Sequence, residues 1–504
     1  MAIKVSFSDS QLPKKGVVIF VVYEGKVLGQ SALDHDKKLD GLMAGALDNA
    51  NRFKGKKGEV LTLTSPANST LGHIVLLGLG EAAKLDGLAA RDIGAGLVGL
   101  LNGLGEKSAL LVADRADAVP LTAEALAAEL GLGALLRSYR FDKYRTTEKP
   151  EDKPSFERLA VATSAAKEAL ALFTKLERVA DGVFLTRDLI SEPPNVIYPA
   201  TLADAARNQL TELGVEVEVL GEAEMQKLGL NTLLAVGQGS AKESKLVIMK
   251  YYGQGKGKAT DPVVLVGKGV TFDTGGISLK PADNMWDMKY DMGGSAAVVG
   301  TIKALAGRKA KATVFGVIAC VENMPDGNAT RPADIVKSLS GQTVEILNTD
   351  AEGRLILADA LWYAQDKFKP KVVVDLATLT GAIVVALGTH FAGLFSNDDN
   401  LAEQLLAAGK TSGEKLWRMP VDAAYEKEIE SDIADIKNIS GGRGGGSSTA
   451  AAFLKKFIKP DTIWAHLDIA AVAWATKDQG VTPKGAAGFG VRLLDQWIAD
   501  HHES

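Results

Sequence analysis

The chain has 504 residues, of which 46% are hydrophobic and 24% charged, with a formal net charge of −5. This composition is typical of a globular protein and excludes a disordered or collagen-like chain. The mildly acidic balance gives no indication of nucleic-acid binding. The length exceeds that of one ordinary hydrophobic core, so we expect two to four domains.

The single cysteine, Cys320, excludes an internal disulfide and favours a reducing cytoplasm. It lies in an apolar run that predicts a buried strand, so we interpret it as a core residue rather than a nucleophile. The longest apolar stretch, residues 372–395, is interrupted by Asp375, Gly381 and Gly388, which argues against a membrane span. We therefore expect a cytoplasmic protein with no membrane partner.

Residues 1–150 are predicted to form a smaller N-terminal α/β domain, because strand-like runs alternate with helical patterns. As a separate expectation, we assign this domain a role in assembly or regulation. The predicted elements are strands at 3–7, 17–22, 73–77 and 109–112, and helices at 92–104 and 122–140. Residues 146–154 are charged and proline-bearing, as expected at a boundary. Apolar spacing from residue 155 onwards predicts that residues 151–183 form a linker helix.

Residues 184–504 are predicted to form a larger C-terminal, doubly wound α/β domain that carries the chemistry. Its predicted strands lie at 215–220, 246–251, 263–266, 312–320, 344–347, 372–376 and 464–469. Helical patterns fall between most of them, and function in such a sheet gathers at the carboxyl ends of the strands. The glycine-rich segment 441–449 predicts a mobile loop that opens a helix, with anion binding as the alternative.

Two acids and an arginine follow the predicted strand at 344–347. Asp350 and Glu352 are two residues apart, so in extended backbone their carboxylates would point the same way, and Arg354 continues that face. Gly353 would permit a close turn or an unusual φ before the helical pattern that follows. An acid-capped helix with a surface ion pair would show the same pattern, so this stretch needs a partner to define a site.

The partner is the glycine-rich stretch 267–281, which follows another predicted strand. Its glycines let the backbone approach a ligand, and Lys268, Asp273 and Lys280 supply charge. It lacks the spacing of a nucleotide-binding P-loop. Asp291 adds a further acid at the start of a helical pattern. Carboxylates that converge at neighbouring strand ends need cations, and oxygen-rich clusters suit Mn²⁺, Mg²⁺ or Zn²⁺.

The usual imidazole signals of a metal site are absent from the sequence. None of the six histidines belongs to a His-Glu-x-x-His motif or lies in these stretches. Any metal site here would therefore depend on carboxylates.

With these motifs, the chain resembles the cytosolic leucyl aminopeptidase family of two-metal exopeptidases. Four long motifs carry the resemblance: Asn348-Thr-Asp-Ala-Glu-Gly-Arg-Leu355, Val266-Gly-Lys-Gly-Val-Thr-Phe-Asp-Thr-Gly-Gly-Ile-Ser-Leu-Lys280, Met288-Lys-Tyr-Asp-Met-Gly-Gly-Ser295 and Asp375-Leu-Ala-Thr-Leu-Thr-Gly-Ala382. The likeness extends over about residues 180–495, whereas the first 150 residues match only in length and α/β character.

The resemblance implies a function for each motif position. It implies two divalent metal ions per subunit, Mn²⁺ or Zn²⁺, and a catalytic pair formed by Lys280 and Arg354. The implied metal ligands are Lys268, Asp273, Asp291, Asp350 and Glu352. A bicarbonate at Arg354 would take up the proton of the attacking water.

Physical chemistry supports these implied roles. Two metals about 3.5–4 Å apart can share a water, lower its pKa and hold the scissile carbonyl. Lys268 can bind a metal only as a neutral amine, and neighbouring divalent cations would enforce that form by depressing its pKa. Charged Lys280 can stabilise the oxyanion as it forms, and Arg354 suits a planar anion.

The resemblance also concerns substrate and assembly. It implies that Met288, Thr378 and Gly381 line a pocket for Leu- or Met-like first residues, although simple core packing is the alternative for these three. Substrates would need a free N-terminus because one metal binds the neutral α-amine. The family further implies a homohexamer with active sites facing an inner cavity, acting in peptide turnover.

Two other functions remain open from the sequence. The first is a DNA-binding regulatory or architectural protein on the same scaffold, because some bacterial relatives double in that role. A salt-dependent gel shift that survives the substitution Asp350→Ala would favour it. The second is Cys-Gly dipeptidase activity in glutathione breakdown, which a panel of dipeptides would separate from general aminopeptidase activity.

Overall fold

The computed structural model describes residues 2–9, 12–258, 261–442 and 444–503. The chain divides into two compact units. The first contains Met1–Ala180 and Lys477–Pro483, and the larger second unit contains Asp181–Thr476 and Lys484–Ser504. Each unit has its own sheet with flanking helices, which confirms the predicted two-domain α/β fold.

The first unit has a seven-stranded sheet. Its strands are β1 (Lys4–Ser8), β2 (Val17–Tyr23), β3 (Val27–Leu28), β4 (Val60–Thr64), β5 (His73–Gly80), β6 (Ser108–Val112) and β7 (Arg158–Ala162). The order is β1-β7-β6-β2-β5-β4, with β3 on β2. Of the strands in the described part of this unit, β3 and β4 pair antiparallel with their neighbours and the others pair parallel. The helices are α1 (Gln30–Asp36), α2 (Leu42–Asn49), α3 (Gly87–Gly103) and α4 (Ala123–Arg137).

The prediction of one linker helix over residues 151–183 is wrong in its first part. Residues 158–162 form strand β7, which pairs on both sides with β1 and β6, and helix α5 runs over Ala166–Ser191. The side chains of Leu159 and Val161 on this strand are fully buried. Backbone hydrogen bonds to two partner strands outweigh a local helical spacing, and the linear pattern does not contain those partners.

The strands of the second unit form three sheets. They are β8 (Glu216–Leu220), β9 (Lys245–Tyr252), β10 (Val263–Asp273), β11 (Thr313–Asn323), β12 (Ile335–Lys337), β13 (Thr343–Glu345), β14 (Val372–Ala377), β15 (Ala392–Ser396), β16 (Leu416–Arg418), β17 (Ile436–Lys437), β18 (Ile463–Asp468), β19 (Trp474–Ala475) and β20 (Gly485–Ala486). The main sheet has the order β16-β15-β18-β14-β10-β11-β9-β8, and the small sheets are β12-β13-β17 and β19-β20.

Helices cover both faces of the main sheet. They are α6 (Pro199–Leu210), α7 (Glu222–Leu228), α8 (Asn231–Gly237), α9 (Gly293–Arg308), α10 (Gly353–Phe368), α11 (Gly381–Leu387), α12 (Asp399–Ser412), α13 (Ala423–Lys427), α14 (Gly446–Lys455) and α15 (Val491–His501). Along β10, Val263 and Leu265 enter one apolar core, while Val264 and Val266 enter another. This alternation between two buried faces is the doubly wound arrangement predicted from the sequence.

The four central strands β18, β14, β10 and β11 are mutually parallel, so their carboxyl ends meet at one edge. Cys320 is buried within β11, as predicted for a core residue, and burial raises the pKa of its thiol. Helix α14 begins at Gly446 in the glycine-rich segment, where Gly445 has a φ of 64°. Arg443 of that segment lies outside the described residues. Among the helices of the described ranges, none has both the length and the apolar character needed to cross a membrane.

Strand β10 continues seven residues beyond its predicted end at 266. Gly267 and Gly269 are therefore part of a strand rather than of a ligand-binding loop, whereas Gly275 and Gly276 lie in the loop that follows, both with positive φ. A Cβ on Gly267 would lie 2.7 Å from Ser295 Cα, and one on Gly269 would lie 2.5 Å from the Ala319 carbonyl oxygen. Side chains at both positions are excluded by the close packing of β10 against helix α9 and strand β11.

Candidate active site

The candidate site lies at the carboxyl ends of the central strands. Lys268 points from within β10, and Asp273 is the last residue of that strand. Lys280 belongs to the loop that follows, and Asp291 comes directly after the short 3₁₀ helix Met285–Tyr290. Asp350 and Glu352 lie between β13 and α10, with Glu352 immediately before the helix. The tertiary structure thus brings together charged residues spread over more than 80 positions.

Lys268 joins two of the acids in the interior. Its Nζ lies 2.8 Å from both carboxylate oxygens of Asp291 and 2.9 Å from Glu352 Oε1. It also donates a 2.8 Å hydrogen bond to the Thr378 carbonyl oxygen. The Lys268 side chain is only 3% exposed, so its charge is compensated almost entirely by these carboxylates.

Lys280 joins the other two acids on the more open side. Its Nζ lies 2.8 Å from Asp273 Oδ2 and is ion-paired with Asp350. One carboxylate oxygen each from Asp273, Asp350 and Glu352 lie within 4.8 Å of one another. The side chains of Lys280 and Asp350 are 21% and 33% exposed, which leaves this side accessible to a ligand.

Asp350 and Glu352 converge through a turn rather than along a strand. Strand β13 ends at Glu345, and Glu352 has helical backbone angles of −81° and −35°. The expectation that their carboxylates share a face of extended backbone is therefore wrong. The chain turns between the end of β13 at Glu345 and the start of helix α10 at Gly353, and both acids reach the cluster from this turn.

Gly353 is required for a reason that its local sequence does not reveal. Its φ is not in the left-handed region, so the expected unusual φ is absent. A Cβ at this position would lie 2.7–2.9 Å from Lys268 Cε, Cδ and Nζ. Glycine at the start of α10 therefore provides the space through which the Lys268 side chain reaches its acids.

The electrostatics of the cluster follow from buried like charges. Burial and the negative charge of Asp273 raise the pKa of Glu352, and both also raise the pKa of Asp291, against the attraction of Lys268. Burial alone lowers the pKa of Lys268, but the Coulomb attraction of Asp291, Glu352 and Asp273 outweighs it and raises the pKa. Among these carboxylates, a divalent cation would reverse that direction, because it would take over their charge and repel the ammonium.

The residues present fit a divalent cation. Glu352 Oε2 is buried and has no hydrogen-bond partner. Asp350 Oδ1 and Asp291 Oδ2 also lack a well-directed hydrogen bond, although each lies at ion-pair distance from a lysine. Burying such oxygens costs free energy unless a cation compensates them, and carboxylate oxygens are preferred ligands of Mg²⁺ and Mn²⁺.

Arg354 lies in the first turn of α10 and is 7% exposed. Its Nη1 donates a 2.7 Å hydrogen bond to the Asn438 carbonyl oxygen, whereas its Nε is buried without a partner. Burial lowers the pKa of Arg354 to about 10, against the attraction of Glu352 and Asp468. The guanidinium thus keeps an unsatisfied donor beside the cluster, as required of an anion-binding group.

The three expected pocket residues differ in their surroundings. Thr378 is buried, and its hydroxyl donates a 2.7 Å hydrogen bond to Asp291 Oδ1. Met288 is partly buried, and its carbonyl oxygen accepts a 3.3 Å hydrogen bond from the Asp291 N–H. Gly381 is exposed at the start of α11, and a Cβ there would meet nothing within 4 Å. The structure thus connects Thr378 directly to the acids and leaves open space at Gly381.

Two buried asparagines make hydrogen bonds that fix the acid-bearing segments of this site. Neither of them was identified from the sequence. Asn323 donates from Nδ2 to Asp273 Oδ1 at 2.8 Å. Asn438 Nδ2 donates to the carbonyl oxygens of Asn348 and Ala351, and its Oδ1 accepts from the N–H groups of Leu347 and Asn348. A signal was present for Asn323, which is a polar residue at the carboxyl end of an apolar strand.

Comparisons with known proteins agree along the whole chain. Residues 184–495 match the catalytic domain of the cytosol aminopeptidase family, and residues 18–148 match the N-terminal domain of the same family. A probable cytosol aminopeptidase of Caulobacter vibrioides is 50% identical over 98% of both chains. Another, from a Bradyrhizobium species, is 49% identical over 100% of this chain and 99% of its own.

Solved structures show the same relationship. A tomato leucine aminopeptidase variant has a TM-score of 0.86 at 32% identity, covering 99% of this chain and 97% of its own. The bottromycin maturation enzyme BotP in complex with Mn has a TM-score of 0.83 at 34% identity, covering 97% and 99%. The fold is that of a metal-dependent hydrolase, and the carboxylate cluster is one that could hold a metal ion. The chain belongs to the cytosol aminopeptidase family, and its enzymatic class is that of an aminopeptidase.

Proposed function

We propose that this aminopeptidase uses two divalent metal ions, Mn²⁺ or Zn²⁺, to remove Leu- or Met-like residues from peptides with a free N-terminus. The observation that carries the proposal is the cluster of buried Asp273 and Glu352 with half-buried Asp350, in which Glu352 Oε2 has no partner. Two related structures, BotP in complex with Mn and a tomato leucine aminopeptidase, support the metal and the substrate class.

The proposed ligands are Asp273, Asp350, Glu352, Asp291 and the Lys268 amine. The ions, when bound, would lower the pKa of a water and polarise the scissile carbonyl. Lys268 then has to lose its proton, and its hydrogen bond to the Thr378 carbonyl oxygen orients the amine in either state. Four of the five proposed ligands are buried, and only Asp350 is partly open to solvent, so a substrate could approach the cations from that side.

Lys280 and Arg354 are the proposed catalytic pair. The Lys280 ammonium lies on the accessible side of the cluster, where it would stabilise the oxyanion of the tetrahedral intermediate. Arg354, with its unpartnered Nε, would hold a bicarbonate that acts as the general base. Met288, Thr378 and Gly381 would form the pocket for the first side chain, and the open space at Gly381 supports room for a Leu- or Met-sized group.

The proposed assembly is a homohexamer in the cytoplasm, engaged in peptide turnover. Helix α11 supports an assembly because its sequence, Gly-Ala-Ile-Val-Val-Ala-Leu, is apolar throughout, and only Ile383 is fully buried. Val385 is 89% exposed and Val384 is 38% exposed on the same helix. An exposed apolar helix is more common at subunit interfaces than on the surface of a monomer.

The test is hydrolysis of Leu-p-nitroanilide by chelator-stripped protein with Mn²⁺, Zn²⁺, Co²⁺ or Mg²⁺ added back. We expect activity to return with Mn²⁺ or Zn²⁺ and N-acetyl-Leu-p-nitroanilide to stay intact. Asp350→Ala should abolish activity and lower metal content, whereas Asp366→Ala, at an exposed acid on α10, should change neither. Full activity of the stripped protein without added metal, or normal turnover by Asp350→Ala, would refute the proposal.

A further inference from the structure

Asn323 is a buried residue that contacts both loops carrying the acids of the site. It ends strand β11 directly opposite Asp273, its register partner at the end of β10. It is 3% exposed, and its backbone carbonyl oxygen accepts hydrogen bonds from the N–H and the hydroxyl of Thr274. The main chain of Asn323 is therefore anchored, and its carboxamide can hold other groups in place.

The carboxamide controls one oxygen of Asp273. Asp273 Oδ1 accepts from Asn323 Nδ2 at 2.8 Å and from the Gly275 N–H at 2.9 Å, whereas Oδ2 faces Lys280. Two neutral donors on one oxygen restrict rotation of the carboxylate. The other oxygen is consequently directed towards the proposed metal positions.

The same carboxamide also reaches the second acid-bearing loop. Asn323 Nδ2 donates to the Thr349 carbonyl oxygen at 3.1 Å, and Thr349 Oγ1 donates to the Gly275 carbonyl oxygen at 2.6 Å. Asp273, Gly275, Thr349 and Asn323 thereby form a closed ring of hydrogen bonds. Asp350 follows Thr349 directly in the chain, so the ring links the loop carrying Asp273 to the loop carrying Asp350 and Glu352.

We infer that Asn323 is a positioning residue, which orients Asp273 and sets the spacing between the two loops that supply metal ligands. Its chemistry suits this role because an uncharged amide donates two hydrogen bonds without adding a further negative charge to the cluster. The inference rests on the proposed function, since it takes Asp273, Asp350 and Glu352 as metal ligands.

The test measures Mn²⁺ affinity of the chelator-stripped full chain by titration calorimetry, so that the result does not depend on turnover. We expect Asn323→Ala and Asn323→Leu to weaken Mn²⁺ binding about 10- to 100-fold, the range typical of lost outer-shell partners. Leucine keeps the branched shape and replaces the whole carboxamide with methyl groups, so equal losses in both variants assign the effect to the polar carboxamide rather than to a cavity. Wild-type affinity in Asn323→Leu would overturn the inference.

Two further variants keep the test decisive. Thr349→Val opens the ring on its other side while keeping Asn323, and we expect a smaller loss that is not additive with Asn323→Ala. Gln365→Ala removes a comparably buried amide, which donates to the carbonyl oxygens of Leu361 and Phe457, and it should lower stability without changing Mn²⁺ affinity. If Asn323→Ala and Asn323→Leu fail to fold, Asn323→Ser replaces them, because its shorter side chain stays polar but cannot bond both Asp273 Oδ1 and the Thr349 carbonyl oxygen. Wild-type Mn²⁺ affinity in that variant refutes the inference.

The outcomes separate this inference from the proposed function. Tight Mn²⁺ binding by the wild type, loss of binding in Asp273→Asn and unchanged binding in the Asn323 variants would refute only the positioning role. Absence of Mn²⁺ and Zn²⁺ binding by the wild type would refute the proposed function itself.

Discussion

The two lysines of the site lie close together in the fold and have different surroundings. Lys268 is enclosed by Asp291 and Glu352 with 3% of its side chain exposed, whereas Lys280 is 21% exposed beside Asp273 and Asp350. The enclosed amine is suited to a ligand, and the more accessible ammonium is suited to a developing charge on the substrate. The surroundings of each residue therefore support the different roles proposed for them.

We predict that Lys280→Ala lowers kcat about 10²- to 10³-fold while metal content stays near that of the wild type. The reason is that Lys280 would stabilise charge that develops only in the transition state. Steady-state kinetics with elemental analysis of the same samples provides the measurement. Lys250→Ala, which removes a similarly exposed lysine paired with Glu218, is the control and should retain full kcat. Loss of metal in Lys280→Ala would contradict the proposed role.

We predict that Gly353→Ala weakens metal binding at least about 10-fold, because the new methyl group would displace the Lys268 side chain. The control is Gly96→Ala in α3, where a Cβ meets nothing within 4 Å. That substitution should leave metal binding unchanged and stabilise the protein by about 0.5–1 kcal/mol. Calorimetric titration with Mn²⁺ and thermal melting measure the two effects, and wild-type affinity in Gly353→Ala would refute the steric explanation.

At the scale of elements, α10 connects the site to the core. Its first turn carries Arg354, and its centre carries the fully buried Asp359. Asp359 accepts hydrogen bonds from the N–H groups of Leu233, in α8, and Leu339. Burial raises the pKa of Asp359 to about 6, and the hydrogen bonds only partly offset this effect. The contact that fixes α10 against α8 is consequently sensitive to pH.

We predict a pH-dependent difference in stability between the wild type and Asp359→Asn. The folded-state pKa of Asp359 lies above its unfolded value of 3.8, so the wild-type contribution is fully present below pH 4 and is lost as pH rises through 6. The wild type should therefore lose up to about 3 kcal/mol relative to the variant between pH 4 and pH 7. Urea unfolding across this range measures the difference, and a constant difference would contradict the assigned pKa.

At the scale of the whole molecule, both parts of the chain match the cytosol aminopeptidase family. The first part matches its N-terminal domain, and the second part matches its catalytic domain. Exposed apolar side chains occur on the second unit beyond helix α11, including Trp286 at 65% and Trp417 at 57% exposure. Such side chains are consistent with surfaces that are covered in an assembly.

We predict that the purified protein has a native mass six times the 53.0 kDa of one chain. Light scattering coupled to size-exclusion chromatography measures this mass, and the value should persist on dilution because apolar interfaces of obligate assemblies dissociate weakly. A mass of 53.0 kDa at all concentrations would refute the proposed hexamer.

The sequence by itself determined the two-domain α/β class, through its alternating strand and helix patterns. It also determined the family, because the motifs at 266–280, 288–295, 348–355 and 375–382 are long and contiguous. It also predicted most strands of the second unit, since apolar runs buried on both faces are visible locally. These features depend on residues that are neighbours in the chain, so they can be recognised without knowing the fold.

Only the tertiary structure decided which contacts complete the site. Strand β7 depends on partners far away in the chain, so the linear pattern showed a helix instead. Asn323 meets Asp273 across 50 positions, Asn438 meets Asn348 across 90, and Gly353 is needed because Lys268 passes beside it. Hydrogen bonds and excluded volume act at distances of a few ångströms between residues that only folding brings together.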